Sequence, residues 1–364
     1  MIVRSVGSRP TLKEMATTSR NPAASAAPSN FGCEMDQQAL IDGSPQRVAL
    51  RELTAGQMVD AAYAVREREL RQKKNGESFL RLVLGDSTGT LEAISWDGAE
   101  DRYAIAEPGA VIRARGVYEV SDRWGSKIKL DELSTAEPGS YDPADLAAGS
   151  EVPLARMEGD LRELLGTIQD QHLCELLERF FGNDSEIWER FRDAPAAKIY
   201  HQAYRHGLLE HTLSVAQAVS AAAAFFPGID RDVAVAGALL HDIGKTEAYN
   251  GDPYAIDLTD AGRLEGEIPL GYYLVRRQIE EIAGFDPGLA QAVLHIILSH
   301  HGSLEHGSPV VPCTREAVLV HMIDNLGGRL GSFDRLERQL PDGESWSRFD
   351  RAIDGSAYFG RSAA

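Results

Sequence analysis

Nine of the ten histidines lie after position 200, and several of them stand beside carboxylates. In the stretch Gly207-Leu208-Leu209-Glu210-His211-Thr212-Leu213-Ser214-Val215, the residues Leu208, His211 and Val215 recur at i, i+3 and i+7. That spacing puts His211 on the apolar face of a helix. A buried imidazole needs a partner, either a backbone carbonyl or a metal ion. The run Val233-Ala234-Val235-Ala236-Gly237-Ala238-Leu239-Leu240 is apolar all round and ends in His241-Asp242. An imidazole and a carboxylate at the end of a buried helix are costly unless something satisfies them. A divalent cation does so, because neutral imidazole and carboxylate are ordinary donors for Zn, Mn or Fe. Asp324 stands in a third apolar run, Ala317-Val318-Leu319-Val320-His321-Met322-Ile323-Asp324, with Val320 and His321 on its face. One buried acid could pair with an arginine. Three inward polar positions on three helices point to a shared cation.

The elements that must position these groups follow from periodicity. After Val152 nearly everything repeats as helix, and Asp286-Pro287 opens one such helix as N-cap and first helical residue. Gly302 is expected to close that helix beyond His301, and Gly244 to cap the helix that ends in His241-Asp242. Upstream the pattern is β. Phe79, Arg81 and Val83 alternate with Leu80, Leu82 and Leu84, then Gly85-Asp86-Ser87-Thr88-Gly89 turns into Thr90–Trp96. Two more runs, Val111–Tyr118 and Lys127–Leu130, flank a turn at Ser121–Gly125, and a first strand is expected near Met58–Arg68. Five short strands with little helix suggest a small barrel of the OB type, with a plain sandwich or meander as the alternative. The expected division is a disordered tail over 1–45, a barrel over 46–137, a linker over 138–151, an all-α bundle over 152–340 and an extension over 341–364. The tail reading rests on Ser, Ala, Pro and Asn content too polar to order itself. Met15 or Met35 could begin the protein instead.

Composition narrows the class. A chain of 364 residues suits two domains, and 43% hydrophobic residues suffice for ordinary cores. No run of eighteen apolar residues appears, which argues against a transmembrane helix and a membrane partner. Cys33, Cys174 and Cys313 are scattered and form no C-x-x-C pair, so a reducing cytoplasm is expected. The net charge of −18 opposes nucleic-acid binding by the chain as a whole. Residues 47–132, however, hold 14 Lys and Arg against 15 Asp and Glu, so this segment is nearly neutral and can carry a basic face.

His211, the His241-Asp242 pair and Asp324, in that order on helices, resemble the H…HD…D signature of the HD superfamily of metal-dependent phosphohydrolases. The wider strings Gly207–Thr212, Leu240–Lys245, Ser299–Glu305 and Gly307–Val310 are most similar to the YhaM-like 3′→5′ exoribonucleases, which join an OB-fold to an HD domain. The resemblance covers roughly 57–360, including Trp346, Phe349 and Tyr358. There are departures. Gly266-Glu267-Ile268 stands where the family tends to have Gly-His-Ile, and His201-Gln202 where it tends to have paired histidines. His206 and His306 replace a glycine and an aromatic.

The resemblance implies that His211, His241, Asp242 and Asp324 hold one cation, with Asp242 bridging to a second held by His300, His301 and Glu267. His295 is a weaker candidate. Mn²⁺ is the expected ion, with Fe, Co, Zn or Mg as alternatives. Lys245 is placed to contact a phosphate and His201 the leaving group, so Asp242, Lys245 and His201 form the catalytic set. An OB barrel binds single strands through basic grooves and stacking. Arg66, Arg68, Arg71, Lys73, Lys74 and Arg81 supply charge, and Trp96, Tyr118 and Trp124 supply rings. The expected activity is removal of 5′-mononucleotides from the 3′ end of single-stranded RNA, or of single-stranded DNA. The competing readings are hydrolysis of free or cyclic nucleotides, and a non-catalytic nucleic-acid-binding factor whose centre Glu267 marks as decayed.

Overall fold

The structure is a computed structural model, and it describes residues 48–360 apart from 122–124, 148, 199–201 and 342. The expected tail, His201 and Trp124 therefore lie outside the described residues.

Alternation governs the first domain. Strands β1 (Met58–Gln72), β2 (Ser78–Asp86) and β3 (Gly89–Ser95) form a meander, followed by α1 (Ala99–Ile105), β4 (Val111–Ser121) and β5 (Gly125–Thr135). The sheet closes in the order β1-β2-β3-β5-β4, with β3 and β5 parallel and the other pairs antiparallel. A five-stranded closed barrel with a helix between its third and fourth strands is an OB-fold. Leu80, Leu82 and Leu84 of β2 fill the interior with Tyr63, Val65, Ile112 and Ile128. Burying such side chains stabilises the barrel by about 1.5–3 kcal/mol each.

From Leu154 onward the chain is helical: α2 (Leu154–Leu165), α3 (Gln171–Phe181), α4 (Trp188–Asp193), α5 (Gly207–Ala223), α6 (Arg231–Leu240), α7 (Lys245–Ala248), α8 (Asp260–Leu264), α9 (Glu267–Glu281), α10 (Pro287–Ser299) and α11 (Arg315–Arg338). Helix α6 is buried along its whole apolar run and packs against α5, α10 and α11. Asp286 caps α10 by accepting from the Leu289 amide, and Pro287 is its first residue. No helix among the described residues is long and apolar enough to cross a membrane.

One expectation at a glycine and one at an arginine change. Gly244 has φ −65° and does not end α6 as a left-handed cap. It is needed for close approach, because a Cβ there would lie 2.0 Å from the Glu267 carbonyl oxygen at the start of α9. Gly302 does adopt φ +82°, and a Cβ on it would strike the His321 ring. The second change is Arg66, whose side chain turns from the expected basic face toward backbone carbonyls. A β-bulge between Val65 and Glu67 re-aims its side chain. The guanidinium donates to the carbonyls of Leu146 (2.7 Å), Pro253 (3.0 Å) and Tyr254, joining the barrel to the helical domain. A Cβ at Gly85 would lie 2.2 Å from Arg66 Nε, so a glycine makes room for the crossing. Arg66→Ala removes charged donors from three carbonyls and is expected to lower unfolding stability by about 2–4 kcal/mol. Denaturant unfolding checks this, and a loss below about 0.5 kcal/mol contradicts it.

Candidate metal centre

Five helices bring their polar residues to one place. His211 comes from the first turns of α5, Asp324 from the middle of α11, and His241-Asp242 from the residues after α6. His300 and His301 follow α10, and Glu267 opens α9. Both α6 and α10 thus present C-terminal ends here, where the helix dipole favours a cation.

The Asp242 carboxylate lies at the middle, 2% exposed. Its Oδ2 stands 3.3 Å from Nε2 of His211 and 3.3 Å from Nε2 of His241. Asp324 Oδ1 closes this group at 3.2 Å from His211 and 3.8 Å from His241. On the other side, Asp242 Oδ1 faces His300 Nε2 at 3.5 Å. His301 follows, its ring 4.3 Å from that of His300 and its Nε2 3.8 Å from Glu267 Oε1. Donors bound at about 2.1 Å to one ion lie roughly 3.0–3.5 Å apart, so these separations suit ligand edges. Two sets can each gather around an ion, His211-His241-Asp242 and Asp242-His300-His301, and they share Asp242.

Two observations test the fit. Asp242 Oδ1 and His300 Nε2 are buried and have no hydrogen-bond partner. Leaving both unsatisfied costs about 1–3 kcal/mol each, which a cation removes. Tautomers supply the second. His241 Nδ1 lies 2.7 Å from the Ala238 carbonyl, His300 Nδ1 2.8 Å from Ile297 and His301 Nδ1 2.9 Å from His306. A carbonyl can only accept, so each Nδ1 carries the proton and each Nε2 turns a lone pair inward. His211 and His241 then bring their Nε2 atoms within 3.3 Å, which requires a cation or a proton between them. The residues fit a divalent ion.

The electrostatics agree. Burial disfavours a charged His211, but Asp242 and Asp324 outweigh it and push the imidazole up to about 9. Burial also opposes ionisation of Asp242, yet Lys245, His241 and His211 hold it well below the usual carboxylate range. Asp324 is lowered against burial by His211 and His241. His301 is lowered by burial and by His300, which keeps it a neutral donor. A proton on His211 occupies the place of a cation, and ion uptake must displace it. Lys245 Nζ donates to Asp242 Oδ2 at 2.6 Å, and Asp242 raises the ammonium against burial.

Other predicted residues fall elsewhere. His295 Nε2 accepts from the Cys313 amide at 2.8 Å and holds a loop. His206 has φ +69°, the left-handed region in which the family's glycine is at ease, and its Nδ1 lies 2.8 Å from the Arg192 carbonyl. On the barrel, Arg68 lies 4.1 Å over the Tyr103 ring and donates to that residue's carbonyl, which takes it off any free basic face. Arg81 is paired with Glu92 at 2.8 Å. Lys74 is exposed, and Lys73 lies 5.6 Å from the Trp96 ring, which stacks on Phe79 at 4.9 Å. Two residues were not anticipated for these roles. Lys127 approaches Trp96 at 5.9 Å because β5 runs parallel beside β3, a pairing that sequence spacing does not reveal. His321 Nδ1 donates to the His300 carbonyl at 2.7 Å, tying the end of α10 to the helix of Asp324. Its signal was a histidine one turn before that acid.

A groove of about 740 Å³ runs between α5 and α11 beside His211. Among the described residues Glu151, Glu210, Asp334 and Glu337 line it and no lysine or arginine does, so it repels a phosphate chain.

A family model described as HD domain matches residues 208–328. The 3′-5′ exoribonuclease YhaM of Bacillus subtilis is 29% identical over 295 residues, covering 80% of this chain and 92% of that protein. YhaM of a Geobacillus strain is 28% identical over 305 residues, covering 84% and 92%. Among solved structures, the second OB-fold domain of replication protein A from Methanococcus maripaludis matches 26% of this chain and 98% of its own at 18% identity, with a TM-score of 0.22. That likeness carries no argument, and the barrel stands on its strand pairing. Residues 208–328 thus match the HD domain, and the chain is similar over most of its length to YhaM 3′-5′ exoribonucleases.

Proposed function

We infer that this protein is a metal-dependent 3′→5′ exoribonuclease acting on single-stranded RNA in the cytoplasm, with Mn²⁺ as its working ion. The observation that carries the reading is the Asp242 carboxylate, whose two oxygens face two separate donor sets. One set is His211, His241, Asp242 and Asp324; the other is Asp242, His300, His301 and Glu267. Ions bound there supply Lewis-acid stabilisation of phosphoryl charge and a water acidified for attack. The protein's own groups do the rest. Lys245, already drawn to Asp242, donates to a non-bridging oxygen of the scissile phosphate. His201, in the role the resemblance gives it, supplies a proton to the leaving 3′-oxygen. Water adds to phosphorus, the bond to the upstream 3′-oxygen breaks, and a nucleoside 5′-monophosphate leaves.

The strand approaches from the side of Lys245 and His301, since the groove beside His211 is acidic. On the barrel, Phe79 and Trp96, flanked by Lys73, Lys127 and the exposed Lys74, offer a stacking platform with positive charge. Base–aromatic stacking contributes about 1–3 kcal/mol per base. Trp96→Ala is therefore expected to raise KM for a long strand about tenfold and leave kcat on a dinucleotide unchanged.

The purified protein with Mn²⁺ is to be tested on 5′-labelled single-stranded RNA, nucleoside triphosphates and cyclic dinucleotides. A ladder shortening from the 3′ end, with 5′-monophosphates released, is expected. Turnover of the small molecules alone would sink the reading.

A further inference from the structure

Helix α11 has two faces. Its inner face buries Ala317 and Val320 and carries Asp324 to the metal centre. Its outer face presents Val318, Met322, Leu326, Leu330 and Phe333, each 38–59% exposed. Their spacing of four, four, four and three residues keeps them on one stripe about four turns long. The apolar surface continues past the helix, where Phe333 meets the ring of Phe359 and the exposed Trp346 stacks on Tyr358. Contiguous exposed apolar surface on this scale marks an interaction site.

The charges at the stripe's ends say what covers it. Arg315 and Glu337 lie on the same face as the stripe, each eleven residues from Leu326. In an antiparallel pair of α11 helices crossing at Leu326, each Arg315 meets a Glu337, and each Met322 meets a Leu330. A face that is complementary to itself under a two-fold rotation is the form of an isologous dimer interface.

We propose that the outer face of α11 is the interface of a homodimer, with two copies of this chain packed antiparallel about Leu326. The back of the helix that holds Asp324 is then buried by the second copy. Dimerisation fixes the α11 side of the metal centre and leaves the Lys245 side open.

Analytical ultracentrifugation of the full chain at micromolar concentration tests this. A dimer is expected. Leu326→Glu, at a position exposed in the single chain, is expected to raise the dissociation constant about thirtyfold or more while circular dichroism and bound metal stay unchanged. Arg315→Glu weakens the dimer, and adding Glu337→Arg to it restores assembly. A monomeric wild-type chain overturns the proposal, and so does a dimer indifferent to these changes. A wild-type monomer whose apolar face binds a hydrophobic dye only after residues 1–47 are removed gives the face to that segment instead. None of these readouts uses RNA decay, so the two proposals fail separately.

Discussion

Asp242→Asn is expected to lower kcat on single-stranded RNA by about a thousandfold or more, which is about 4 kcal/mol of transition-state stabilisation. The substitution keeps the shape of the side chain and removes its charge. Asp242 is the one residue shared by both donor sets, so an amide there weakens two ion sites at once. The same charge balances His211, His241, His300 and Lys245, all within 2.6–3.5 Å of its oxygens. Bound metal must therefore fall together with kcat, by at least one ion per chain. A variant that keeps its full metal content and loses activity would place the chemistry elsewhere, and a variant as active as the wild type would remove Asp242 from the mechanism.

Removing the ion is the second large effect. Chelation is expected to abolish activity, and Mn²⁺ to restore it. It also affects the fold. Without a cation, Asp242 Oδ1 and His300 Nε2 are left buried and unsatisfied. An ion present at a hundred times its dissociation constant stabilises the native state by about 2.7 kcal/mol. Thermal unfolding should move down by several degrees on chelation and return on readdition of metal. A midpoint unmoved by chelator, in a protein shown to have lost its metal, would mean that the ion is no part of the folded centre.

Much of the centre was legible because burial and polarity conflict in the sequence. His211 breaks an apolar stripe, His241-Asp242 ends a helix with no polar face, and Asp324 interrupts Val320–Ile323. Each anomaly needs a partner, and the structure brings the four together. The second donor set was read through resemblance, since His300 and His301 sit after α10, where spacing says little about direction. The barrel was legible from strict alternation in β2, whose leucines all point inward. What spacing missed depends on irregular or distant backbone. A bulge sends Arg66 to the helical domain, although its neighbours in sequence suggested a basic patch. Gly244 resembled a cap because its neighbours end a helix, yet it serves the approach of α9. Lys127 joins Trp96 only because two strands far apart in the chain run side by side.

The mechanism requires a cation among His211, His241, Asp242 and Asp324. Anomalous diffraction from crystals grown with Mn²⁺ tests this most directly. A peak is expected about 2.0–2.2 Å from the facing Nε2 and carboxylate oxygen atoms of these four residues. A map whose manganese peaks lie away from all four, in crystals of active protein, would contradict it.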